Sequence, residues 1–154
     1  MFEFLADRQD AIPIVARWYF EEWGHKVSGN SIQQTIERIS GKLNRDKAPL
    51  HILAVKDEKV LGVAQLKMHE MDIYPEKVFW LGSLFVSPAF RGKGVGSAIA
   101  NKIATTAEGF GVKELYLQTE ALDGGLYRHL GWNLIETIVY KDVHVAVMVR
   151  QLGA

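Results

Sequence analysis

Residues 81–119, LGSLFVSPAFRGKGVGSAIANKIATTAEGFGVKELYLQT, restrict the architecture more than any other stretch of the chain. An apolar β-run, Val78–Val86, is broken by Ser87-Pro88. A glycine loop follows, with Gly92, Gly94 and Gly96 at alternate positions and basic residues at Arg91 and Lys93. A helix is expected over Ser97–Phe110, because Val95, Ile99, Ile103, Ala107 and Phe110 share one helical stripe. Gly109 and Gly111 supply its stop signals. A second β-run, Glu114–Thr119, comes next. Strand, loop, helix and strand in this order predict a parallel pair joined by a crossover helix.

The flanking segments predict different pairings. Phe2–Leu5 reads as an edge strand. Asp10 is placed to cap a helix starting near Pro13, with Ile14, Val15, Trp18 and Tyr19 on one face and Gly24 at its end. Ser31 is a second expected N-cap, and Ile32, Ile36, Ile39 and Leu43 follow at amphipathic spacing. Residues 51–68 read as two strands around Lys56-Asp57-Glu58-Lys59, and Leu134–Tyr140 and Val143–Val149 pair around Lys141-Asp142. A loop with Pro75 spans 69–77, and Asp123–His129 reads as a short helix ending at Gly131. The expected fold class is mixed α/β: a twisted, mostly antiparallel sheet of about seven strands, a central parallel pair and helices on both faces. One domain over residues 1–154 is expected.

Composition narrows the function. Eighteen Lys and Arg balance 18 Asp and Glu, so no broad basic footprint exists for nucleic acid or an anionic membrane. The chain has no cysteine, which removes disulfides, thiolate metal sites and a cysteine nucleophile. Neither His51 nor His129 has a partner at metal-ligand spacing, and no metal is expected. The start, MFEFLADRQD, lacks the apolar core of a signal peptide, and no apolar run is long enough to span a bilayer. A cytoplasmic protein is the expectation.

A basic glycine loop opening a helix is suited to an anion. The first backbone N–H groups of a helix have no internal partner and carry the positive end of its dipole. Glycine lets the backbone come close to the guest. Two common phosphate loops do not fit. No window gives G-x-x-x-x-G-K-[ST], and the spacing G-x-G-x-G differs from the dinucleotide fingerprint G-x-G-x-x-G.

The wider stretch LFVSPAFRGKGVGSAIANKIATTAEGFG resembles the acetyl-CoA-binding motif of the GNAT N-acetyltransferase superfamily. Leu84, Val86, Pro88, Arg91, Gly94 and Gly96 carry the match. Downstream, Leu126, Tyr127, Gly131 and Trp132 fill a second pattern, L-Y-x-x-x-G-[FW], that is similar to the family's. The resemblance implies acetyl-CoA as cosubstrate, lying between the two parallel strands. Its pyrophosphate would rest on Arg91, Gly92, Lys93, Gly94, Val95, Gly96 and Ser97, and its pantetheine arm would run beside Leu84, Phe85 and Val86. Tyr127 would be the general acid toward the leaving thiolate, its ordinary pKa of about 10 keeping it protonated.

The base is less defined. Family members often carry a glutamate on the strand before the loop, but FWLGSLFV has no carboxylate. His69, Glu70, Asp72 and Glu120 remain, and Glu70 is taken as the catalytic candidate. Glu120 stands where many relatives have a CoA-bonding asparagine. The implied reaction is acetyl transfer to a primary amine by direct attack in a ternary complex; the alternative is an acyl-CoA-binding regulatory module without turnover. The acceptor is not encoded in any readable motif. Trp18, Tyr19, Phe20 and Trp23 are more consistent with core than with an acceptor pocket. The C-terminal strands offer an edge for a homodimer.

Overall fold

The computed structural model describes residues 1–153. Its seven strands are β1 (Phe2–Phe4), β2 (Leu50–Lys56), β3 (Lys59–Met68), β4 (Phe79–Val86), β5 (Glu114–Thr119), β6 (Asn133–Tyr140) and β7 (Val143–Gln151). They form one sheet in the order β1-β2-β3-β4-β5-β7-β6. Only β4 and β5 run parallel; the other neighbours are antiparallel. Both hairpins turn on two residues with positive φ, Asp57-Glu58 and Lys141-Asp142. That geometry matches the twist of the strands they join.

The helices are α1 (Ile12–Glu22), α2 (Ile32–Ser40), α3 (Val95–Gly109) and the single turn α4 (Gly125–Arg128). Ser31 Oγ caps α2 by accepting from the Gln34 N–H at 3.1 Å, as expected. Several boundaries and faces differ from the sequence expectation. Asp10 does not cap α1; it lies in a 3₁₀ turn, and the chain enters the helix through Ala11. Ile14 is exposed, because the buried stripe of α1 is Ile12, Val15, Ala16 and Tyr19. Leu43 lies beyond α2, which stops at Gly41, yet it still packs under the helices. The helix after the glycine loop begins at Val95, two residues early, and Phe110 falls off its buried stripe and is exposed.

The two sheet faces are covered differently. On one, α3 lays Ile99, Ala100, Ile103, Ala104 and Ala107 across alternate residues of β2 to β5 and β7. On the other, α1 and α2 cover Leu53, Val55 and Val63, while the 69–77 loop buries Met71 and Tyr74 against Trp80, Tyr116 and Val147. Between these last two clusters lie Lys67, Glu70 and Gly82. β6 is an edge strand, with Leu134 and Val139 exposed on it.

Candidate active site

The parallel pair is in register at a single position, Trp80 opposite Tyr116. Past that point β4 turns away. Ser83 has φ of 51° and the pairing of β4 with β3 shifts between Val63 and Gln65. Such a bulge bends a strand and increases its twist. The result is an open gap between the C-terminal halves of β4 and β5. A cleft of about 600 Å³ passes through it. Leu84 and Tyr127, on the α3 side, and Trp23, Glu70 and Tyr140, on the other, all line this space.

Glu70 and Lys67 form an ion pair at 2.9 Å beside the bulge, both side chains largely shielded from water. Gly82 makes room for it: a Cβ there would collide with Lys67 Cδ and lie 2.9 Å from Glu70 Oε1. Tyr127 comes from α4 on the far side. Its ring meets Trp132 edge-on at 6.0 Å. Burial first, and then the Glu70 carboxylate, push the Tyr127 hydroxyl up to about 12. It stays protonated at any physiological pH.

The glycine loop stands at the end of β4. Gly94, at φ +81°, is the residue before α3 and turns the chain into the helix. A non-glycine side chain would be strained in that conformation. Val86, Gly94, Val95, Gly96 and Ser97 line a second hollow of about 230 Å³ at the start of α3. It presents the unpaired N–H groups of a 15-residue helix. Arg91 Nε donates to the Val86 carbonyl at 2.8 Å and its guanidinium lies 5.1 Å from the Phe85 ring centroid. The basic side chain therefore also ties the loop to the strand exit. Phe85 itself points away from α3, onto Trp18 at 5.1 Å.

A model of the acetyltransferase (GNAT) family matches residues 9–132. The chain belongs to this family. Solved structures agree at the level of the fold. An aminoglycoside 6'-acetyltransferase type Ii superposes with a TM-score of 0.77 at 15% identity, over 100% of this chain and 98% of that one. An aminoglycoside 6'-N-acetyltransferase complexed with coenzyme A gives 0.76 at 14%, over 100% and 98%. A GNAT-family acetyltransferase from Streptococcus pneumoniae gives 0.71 at 16%, over 99% of each chain. No curated protein sequence matches. As a GNAT acetyltransferase the chain uses acetyl-CoA as cosubstrate.

Within this GNAT chain the structure brings most of the sequence-selected residues to one place. Leu84, Glu70, Glu120 and Tyr127 line the large cleft, and Val86, Arg91, Gly92 and Gly94 to Ser97 surround the helix start, which Lys93 does not line. The other base candidates stand apart. Asp72 accepts a hydrogen bond from the Tyr140 hydroxyl at 2.8 Å, and neither it nor His69 lines the cleft. Trp23, the residue that follows α1, lines the cleft and gives it an aromatic wall, whereas Tyr19 is core. Sequence reasoning missed Lys67, Tyr140 and the Gly82-Ser83 bulge. A glycine inside a strand pattern is the signal that marks such a bulge.

Proposed function

We propose that this chain moves an acetyl group from acetyl-CoA to the primary amine of a small acceptor by direct attack within a ternary complex. One observation carries the reading: Glu70 and Tyr127 reach a single cleft from opposite faces of the sheet, at the point where β4 and β5 part. In this scheme Glu70 takes a proton from the attacking amine. The amine nitrogen bonds to the thioester carbonyl carbon, the carbon–sulfur bond breaks, and Tyr127 protonates the departing thiolate. A main-chain N–H near Val86 serves the oxyanion, and such a donor is worth about 10²–10³ in rate. The pyrophosphate rests on Arg91, Gly92, Lys93, Gly94, Val95, Gly96 and Ser97. Leu84, Phe85 and Val86 supply the edge along which the pantetheine runs, and Glu120 flanks it just past the end of β5.

With no cysteine in the chain, an acyl-cysteine intermediate has no residue to form on. The whole chain acts as one unit in this reading, in the cytoplasm, and the exposed Leu134 and Val139 on the β6 edge favour a homodimer. The test is free-thiol release from acetyl-CoA across a panel of primary amines. The proposal expects release that depends on a particular amine class. Tight acetyl-CoA binding with no amine-dependent release would instead make the chain a binding module.

A further inference from the structure

Two aromatic side chains wall the cleft on the face away from α3. Trp23, 38% exposed, lines it from just past the end of α1. Its ring is held by Tyr19 at 5.8 Å and by Phe85, edge-on at 6.5 Å, and Phe85 rests in turn on Trp18 at 5.1 Å. Tyr140 lines the cleft from β6 and gives its hydroxyl hydrogen to Asp72 at 2.8 Å. Phe85 belongs to β4, and β5 and β7 separate β4 from β6, so Trp23 and Tyr140 stand on opposite flanks. Lys141 Nζ lies over the Tyr140 ring, 5.2 Å from its centroid, which leaves Trp23 as the open aromatic surface.

The charges of the cleft cancel. Its charged lining residues are Lys67, Lys141, Glu70 and Glu120, two of each sign. Lys67 and Glu70 are already paired at 2.9 Å. An acceptor with several cations would find Glu120 alone to balance them, and a carboxylate carried beside the reacting amine would face Glu70 itself. The rigid, partly exposed indole can instead bury a flat apolar body at little entropic cost, and ring stacking adds to the area it covers. The cleft's volume of about 600 Å³ must also take the thioester end of acetyl-CoA, which limits the acceptor to a small molecule.

We propose that the acceptor is a small aromatic monoamine, with its ring stacked on Trp23, its amine directed to Glu70 and no further charge on its body. The inference rests on the transferase reading above and names its substrate class. Trp23 then selects the acceptor and takes no part in the bond-making steps.

The experiment measures kcat/KM by free-thiol release for 2-phenylethylamine, propylamine, spermidine and phenylalanine, in wild type, Trp23→Leu and Trp23→Phe. Comparing ratios between variants cancels differences in amine basicity, and a thermal melt confirms that each variant folds. The expected wild type prefers 2-phenylethylamine to the other three. Its preference over propylamine should fall about tenfold in Trp23→Leu and return in Trp23→Phe, with KM for acetyl-CoA nearly unchanged in both. Spermidine, phenylalanine or propylamine used as well as 2-phenylethylamine by wild type, or a preference unmoved by Trp23→Leu, would overturn the inference and leave the transferase reading standing. Acetyl-CoA binding without thiol release on any of these or other amines would overturn both.

Discussion

On the α3 side of the sheet, apolar side chains run without a break from Leu50 on β2 to Met148 on β7. On the opposite side they fall into two clusters, one under α1 and α2 and one under the 69–77 loop. The strip between holds Lys67, Glu70 and Gly82. The contrast teaches where stability and chemistry reside. A continuous apolar layer contributes burial at roughly 25 cal/mol per Å² and leaves no polar group to satisfy. An interrupted one puts a shielded ion pair into the middle of a sheet, where its desolvation offsets much of its attraction. Local inconsistency of that kind is expected at functional sites.

Four substitutions or conditions would break or sharpen this contrast. The largest effect is expected at Tyr127. Tyr127→Phe removes the proton donor while keeping the ring on Trp132, and kcat should fall by about 10³ with acetyl-CoA affinity nearly unchanged. A wild-type kcat in this variant would remove Tyr127 from the chemistry. Ile103→Ala hollows the continuous face. It should cost about 3 kcal/mol and lower Tm by roughly 6–12 °C. Acetyl-CoA binding by the folded fraction should persist, measured by calorimetry below the transition. Gly82→Ala reverses the pattern: the new Cβ pushes on Lys67 and Glu70. It should reduce kcat about tenfold, with a smaller change in Tm than Ile103→Ala gives.

The smallest effect is one of pH. The Tyr127 hydroxyl, raised to about 12, should give no alkaline fall in kcat up to pH 10, where an ordinary tyrosine would already be half ionised. Its raised pKa also signs the linkage. The contribution of the neutral buried hydroxyl to stability is intact below pH 10, the unfolded value, and is lost as pH rises toward 12. A pH profile of kcat with parallel melts checks both statements.

Much of this contrast was readable in the sequence. The crossover unit placed the one parallel pair, and the two polar turns placed both hairpins, because these signals are local. The stripe Ile99, Ile103 and Ala107 identified the α3 face for the same reason. Cap and face errors at Asp10, Ile14 and Phe110 arose where short 3₁₀ turns or a helix end changed the phase by a residue or two. The resemblance singles out Tyr127, and Glu70 is chosen among four candidate bases near the strand ends; the structure shows both on one cleft. Lys67 was not legible. Its importance depends on the Ser83 bulge and on Gly82 leaving space, and both depend on how β4 pairs with β3.

The most direct measurement is a crystal structure of the chain with coenzyme A. The account predicts the pyrophosphate on the N–H groups of residues 91–97, the pantetheine along Leu84–Val86, and the sulfur within hydrogen-bond reach of the Tyr127 hydroxyl on the same cleft as Glu70. Coenzyme A bound away from the gap between β4 and β5, or seated there with its sulfur remote from Tyr127, would contradict it.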